Sequence, residues 1–110
     1  MWSFVQLLKK IMIDKGDVLY MDGEFSEEIY FIKQGKVKIF AKNGFPYLLC
    51  KDGQHFGEVE VIYKEPRVGK AVAQTDCLIY TLERDDLEML FAEFKEVRNL
   101  IIMQVKIKRE

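Results

Sequence analysis

Residues 53–73, Gly-Gln-His-Phe-Gly-Glu-Val-Glu-Val-Ile-Tyr-Lys-Glu-Pro-Arg-Val-Gly-Lys-Ala-Val-Ala, constrain this chain more than any other stretch. Gly57 permits a close backbone approach. Glu58 to Tyr63 can form one or two helical turns, Pro66 ends them, and Arg67 follows at once. A short helix N-terminus with an arginine folded back toward it is an anion site. Free N–H groups and the positive dipole end favour a phosphate, and a planar guanidinium can clamp two of its oxygens. Glu58 adds a condition, because a carboxylate beside a phosphate is unfavourable unless it accepts from hydroxyls. The expected ligand therefore carries a phosphate and a sugar-like diol, and the rest of the chain is its container.

The flanking sequence reads as strands. Gly16-Asp17 and Asp22-Gly23 are turn signals, and Ile29 to Lys33 is β-branched and aromatic. Lys36 to Lys42 alternates, with Val37, Ile39 and Ala41 on one face and lysines mostly on the other, which predicts one face on a core and one in water. The lysines are read as a solvated strand face rather than a phosphate patch. Asn43-Gly44 reads as a hairpin turn needing positive φ, and Tyr47 to Cys50 returns as the next strand. Lys70 to Gln74 and Cys77 to Leu82 are the last two strands.

The combination resembles the phosphate-binding cassette of cyclic-nucleotide-binding domains. Phe56-Gly57-Glu58, Arg67 and Ala71-Val72-Ala73 meet that family's pattern. Upstream, Lys15 to Leu19, Asp22-Gly23-Glu24 and Ile29 to Val37 look like its first three strands and their turns. The resemblance implies one domain over residues 1–110, mainly β, an eight-stranded antiparallel β-roll of jelly-roll type with flanking helices. Its expected parts are an N-terminal helical segment over 1–14, a β-roll over 15–82 enclosing the cassette at 56–73 with its short helix, and two C-terminal helices over 83–110.

The resemblance also implies roles. Gly57 allows close approach, Glu58 accepts from the ribose 2′-hydroxyl, Arg67 pairs the cyclic phosphate, and N–H groups of Glu60 and Val68 complete the cradle. Phe56 and Val59 belong to the same ligand-binding segment. Leu48 and Cys50 lie where relatives offer apolar contacts to the base, and plain core packing serves equally as their role. Glu60 stands where relatives carry a small residue, and Val68 where they carry Ala, Ser or Thr. On a helical turn Glu58 and Glu60 are separated by about 200°, so a Glu58 facing the ribose turns Glu60 largely away. Arg67 is expected in a surface pocket, so that its removal costs binding and spares the fold. Val68 lacks the hydroxyl that commonly bonds the guanine amino group, which favours cAMP over cGMP.

At 110 residues and 49% hydrophobic, the chain suffices for one core, burying roughly two-thirds of its unfolded surface. A net charge of −1 argues against a nucleic-acid partner. No signal peptide and no apolar run near eighteen residues is visible, so a chain that neither enters a membrane nor is exported is expected. Cys50 and Cys77 lack metal-type spacing and sit among apolar residues, which predicts buried free thiols in a reducing cytosol. His55 is the only histidine, too few for a jelly-roll metalloenzyme of the cupin kind. No metal and no cofactor beyond the ligand is expected. No repeat, linker or low-complexity tract interrupts the domain.

At the ends, Phe4, Leu7, Leu8 and Ile11 have helical spacing, predicting a helix over 2–12. The abrupt start suggests that helices preceding the first strand in relatives have been lost, leaving Trp2 partly exposed. Asp85 and Asp86 sit in the first turn of a helix carrying Leu87, Leu90 and Phe91, where they suit the helix dipole better than catalysis. Residues 94–110 form a last helix with a wide apolar stripe, equivalent to the family's lid over the base. Phe94 to Leu100 looks like the stretch between the last two helices of cyclic-nucleotide-gated and hyperpolarisation-activated channels, with Lys95 in place of a proline. That alignment puts Lys108 near a base-contacting lid position.

The expected function is a cytosolic cAMP or cGMP sensor, not an enzyme, that regulates an attached ion channel by lid closure. Its partners would be the nucleotide and the channel or kinase machinery, with homo-oligomers formed through the parent protein. Two alternatives stay open. One is a homologous domain that binds no nucleotide and serves protein interaction or assembly. The other is a regulatory subunit of a cyclic-nucleotide-dependent kinase, favoured locally by Glu65-Pro66-Arg67.

Overall fold

A computed structural model describes residues 8–96, 98–100 and 102–103. Among these residues, eight strands form two four-stranded antiparallel sheets. In chain order they are β1 (Lys9–Ile13), β2 (Val18–Tyr20), β3 (Glu28–Gln34), β4 (Val37–Phe40), β5 (Pro46–Cys50), β6 (His55–Phe56), β7 (Lys70–Ala73) and β8 (Cys77–Glu83). Helix α1 (Glu58–Tyr63) lies between β6 and β7, and α2 (Arg84–Glu93) follows β8. One sheet has the order β1-β8-β3-β6 and the other β2-β7-β4-β5. The mainly β architecture expected from the sequence is therefore present.

Strand alternation decides what each sheet face covers. Tyr30 and Ile32 of β3 and Cys77 and Ile79 of β8 point to the space between the sheets. There they meet Val37 and Ile39 of β4, Ala71 and Ala73 of β7, Tyr20, Cys50 and Phe56. On the opposite face of the same two strands, Ile29 and Leu82 form a second cluster with Val61 of α1 and Leu87 of α2. This outer cluster anchors the short α1, which is too brief to be stable without tertiary packing.

The alternation at 36–42 is only partly realised. Val37 and Ile39 are buried, but β4 ends at Phe40, and Ala41 starts the turn by accepting from Gly44 N at 2.8 Å. Gly44 takes φ +88 as Asn43-Gly44 predicted. Both cysteines are buried, and neither is in a disulfide among the described residues.

At the N-terminus, residues 9–13 are not helical but form the edge strand β1, paired with β8 from Lys9↔Thr81 to Ile13↔Cys77. Ile11 and Ile13 pack on the inner core while Met12 between them is 79% exposed. This two-residue period, together with the available edge of β8, outweighs the helical spacing of Leu8 and Ile11. The remainder of the predicted helix, including Phe4, Leu7 and Trp2, lies outside the described residues. At the other end, α2 carries Asp85 and Asp86 in its first turn as expected. Residues 95–96, 98–100 and 102–103 are helical, with Leu100 and Met103 exposed. Lys108 lies outside the described residues.

The loop between β2 and β3 is tied to the segment before β7. Gly23 N donates to Arg67 O at 2.8 Å, Arg67 N to Glu24 O at 2.7 Å, and Gly69 N to Asp22 Oδ1 at 2.7 Å. A hydrogen bond to a charged acceptor contributes about 1.5 to 3 kcal/mol. Asp22→Ala is therefore expected to lower unfolding stability by an amount in that range, read from urea titration. A loss under about 0.5 kcal/mol would show the tie to be replaceable by water.

Candidate functional site

The site is built around α1 and the residue that follows its connecting loop. Gly57 precedes the helix at φ +90, which brings the strand-to-helix turn close to Arg67. A Cβ on Gly57 would lie 2.8 Å from Arg67 Nη1 and 3.3 Å from Cζ. The close approach predicted for Gly57 is thus, in this structure, an approach by the arginine. Helix α1 ends at Tyr63, where Lys64 adopts φ +56, a left-handed cap that acts two residues before Pro66. The chain then returns so that Arg67 reaches back under the helix start.

Arg67 is only 1% exposed, against the expectation of a surface-pocket residue. Nη1 donates to Gly57 O at 2.7 Å and to Glu60 Oε1 at 2.8 Å. Nη2 donates to Ser26 Oγ at 3.1 Å and to Glu28 O. Its Cζ lies 4.7 Å from the Tyr20 ring centroid and 5.6 Å from that of Tyr30, within cation–π range. Nε is buried without a hydrogen-bond partner among the described residues. A guanidinium has five donors in a rigid fork, which is why one side chain can join the β2–β3 loop, β3 and α1. This burial contradicts the surface-pocket placement, which was the reason to expect that its loss would spare the fold.

Glu60 is the second correction. The helical-turn geometry predicted a side chain turned outward, yet its carboxylate bonds Arg67 and its side chain is 17% exposed. The reason is range: an angular offset on one helical turn fixes the Cβ direction, while a three-bond side chain can still bend toward a nearby cation. Glu58 is buried, with Oε2 3.4 Å from His55 Nδ1.

Above this arrangement opens a cavity of about 570 Å³, within the size range of small-ligand sites. Its wall includes Phe56, Gly57, Glu58, Val59 and Glu60 from the cassette, Val68 beyond it, and Leu48 of β5. The candidate segment thus converges on one pocket. Cys50 does not join this wall and is instead part of the inter-sheet core, so the two strand residues with ambiguous roles divide between them. Phe56 contributes to both, stacking on Tyr30 at 4.9 Å between centroids.

Tyr20, Ile39, Tyr47 and Glu65 also line the pocket and were not singled out from the sequence. Tyr47 is adjacent to Leu48 and would face the other way in a regular strand. The pairing Ile39↔Leu48 followed by Phe40↔Pro46 leaves Tyr47 as an extra residue, and this bulge accompanies its presence beside Leu48. Ser26 and the Glu28 carbonyl, which hold Arg67, carried no sequence signal because their role exists only through pairing across about forty residues. Burial raises the phenol pKa values of Tyr20 and Tyr47, with the Glu60 carboxylate adding to both. The described wall thus carries three carboxylates, Glu58, Glu60 and Glu65, and no lysine or arginine. Among the described residues no cluster of His, Cys, Asp and Glu has the arrangement of a metal site.

Comparison with known proteins agrees with this geometry. The mouse potassium/sodium hyperpolarization-activated cyclic nucleotide-gated channel 2 is 29% identical over 91 residues, covering 83% of this chain and 10% of the channel. The chicken cyclic nucleotide-gated channel cone photoreceptor subunit alpha is 26% identical over 108 residues, covering 90% of this chain and 14% of that subunit. The chain thus spans only about a tenth of the length of such channels. Among solved structures, the Thermus thermophilus catabolite activator protein superposes with TM-score 0.83 at 23% identity, over 96% of this chain and 52% of that one. A cAMP-bound PfPKA-R superposes with TM-score 0.79 at 18% identity, over 94% of this chain and 36% of that one. These two likenesses concern the fold. The sequence pattern of the cyclic nucleotide-binding domain matches residues 10–94, and the chain belongs to that family.

Proposed function

We propose that this chain is a cytosolic cyclic-nucleotide sensor that regulates an attached effector, an ion channel in the first instance. The observation that carries the reading is the convergence of Gly57 and Glu58 on a cavity with an apolar side formed by Leu48, Tyr47 and Val68, with the Arg67 guanidinium buried directly behind Gly57. In this reading the cyclic phosphate pairs with Arg67, Glu58 accepts from the ribose 2′-hydroxyl, N–H groups of Glu60 and Val68 complete the cradle, and the base rests on the apolar side. The residues after 94 close over the base. Ligand that binds the closed state better shifts the population toward it, by no more than its differential affinity. No bond is broken, no metal or further cofactor takes part, and the channel relatives support a place on the cytosolic face of a membrane protein.

Isothermal titration of the 110-residue chain with cAMP and with cGMP tests this. cAMP is expected to bind at least as well, since Val68 cannot supply a hydroxyl to guanine, a difference of about 1 kcal/mol. A tenfold preference for cGMP would overturn the Val68 argument. Absence of binding to either at millimolar concentration would favour the second reading, a protein interaction and assembly module that keeps the roll. The Glu60–Arg67 ion pair and the acidic wall are the observations that support that alternative.

A further inference from the structure

Arg67 is buried beneath the cavity and does not form part of its wall, whereas Glu60 does. Of the five guanidinium donors, those on Nη1 and Nη2 serve Gly57 O, Ser26 Oγ, Glu28 O and the Glu60 carboxylate; Gly57 and Glu60 also line the cavity, and of the two Glu60 alone has a side chain. Gly57 O and Glu28 O belong to the backbone, and Ser26 lies on the β2–β3 loop. The Ser26 hydroxyl can rotate away too but does not line the cavity, so Glu60 is the cavity-lining partner that can leave the arginine by rotating about its own bonds. Among the described residues it is also the one ionic partner, at 2.8 Å.

We propose that Glu60 is an internal competitor for Arg67, a carboxylate seated where an anionic group of the ligand would pair, and that it sets the affinity of the site. The proposal rests on the reading that the ligand's phosphate pairs with Arg67. A carboxylate and a phosphate oxygen present the same chemistry to a guanidinium, a negative acceptor of charge-assisted hydrogen bonds. A ligand arriving through the cavity must therefore displace Glu60 and leave its charge beside the phosphate, in a wall that already holds Glu58 and Glu65. Both consequences lower affinity. The same contact holds the cassette together when Arg67 has no other anion, since an unpaired buried guanidinium is costly.

The test uses Glu60→Ala and Glu60→Gln in the 110-residue chain. Titration with cAMP is expected to show affinity rising at least about tenfold in Glu60→Ala, equivalent to about 1.4 kcal/mol. Glu60→Gln, which keeps an acceptor for Arg67 without the charge, is expected to show a smaller rise and serves as the folded variant if alanine unfolds the domain. In parallel, the thermal midpoint is followed in increasing inorganic phosphate at constant ionic strength. Phosphate is expected to stabilise Glu60→Ala and not the parent chain, because only the variant leaves Arg67 open to an external anion. If parent and variants bind cAMP within about threefold of each other, the competition is overturned while the cyclic-nucleotide reading stands. If none binds cAMP or cGMP but phosphate stabilises only the variants, that reading falls while the competition stands. If neither ligand distinguishes variants from parent and neither binds, both fall.

Discussion

Arg67→Ala is expected to destabilise the domain by about 3 to 5 kcal/mol, the usual cost of removing one partner from a buried ion pair. Three consequences add in the same direction. Glu60 loses its cation at the cavity base, the carbonyls of Gly57 and Glu28 lose a charged donor, and the side chain no longer fills the space against Tyr20 and Tyr30. Domains of this size are stable by only about 5 to 15 kcal/mol, so the variant loses a large share of its reserve. Arg67→Lys is not a conservative control, because one ammonium cannot span Gly57, Glu60, Ser26 and Glu28 together. Urea unfolding followed by circular dichroism measures the loss. A decrease below about 1 kcal/mol would mean that the network contributes little beyond its replacement by water. Loss of nucleotide affinity is expected as well, but only the stability measurement separates a structural hub from a ligand contact.

Gly69→Ala is expected to cost a comparable amount for a different reason. Gly69 sits at φ +87, and a Cβ there would lie 2.1 Å from the carbonyl oxygen of Phe40. The left-handed conformation alone costs a non-glycine residue about 1 to 2 kcal/mol. The clash is with backbone, so relief requires β4 and β7 to separate where Phe40 pairs with Lys70. Together these place the expected loss at about 3 to 5 kcal/mol, in the range where single substitutions have a named structural cause. Gly44→Ala is the matched control, since Gly44 has φ +88 and nothing within 4 Å of the added carbon. Its loss should stay near the conformational cost. Equal losses in the two variants, read from urea midpoints at constant slope, would show that the close approach at Phe40 is not maintained in solution.

The two expectations that failed at the site share a cause. The angular offset of two residues on one helix turns Glu60 outward, and the reading of the segment as an anion site places Arg67 in a surface pocket. Each inference used only local chain geometry. The observed state depends on Ser26 and Glu28, about forty positions earlier, which supply the oxygens that draw Arg67 inward. The strand at 9–13 failed as a helix for a related reason. Leu8 and Ile11 fit a helical face, but Ile11 and Ile13 fit a strand equally well, and the open edge of β8 decided between them.

By itself the sequence determined the strand pattern from β3 to β5, the two closing strands, the helix after Glu83, and the stretch from Phe56 to Val68 as one candidate segment, residues of which line a single pocket. These are encoded within short windows, by alternation, by turn residues and by the succession of Gly57, Glu58, Pro66 and Arg67. Tertiary structure alone decided which sheet each strand joined, that Tyr20 and a bulged Tyr47 complete the pocket, and that Arg67 is held from below while Glu60 faces it from the cavity side. Those outcomes follow from hydrogen-bond and charge satisfaction among residues distant in the chain. A buried guanidinium must find acceptors wherever the fold brings them, and no local pattern specifies where that will be.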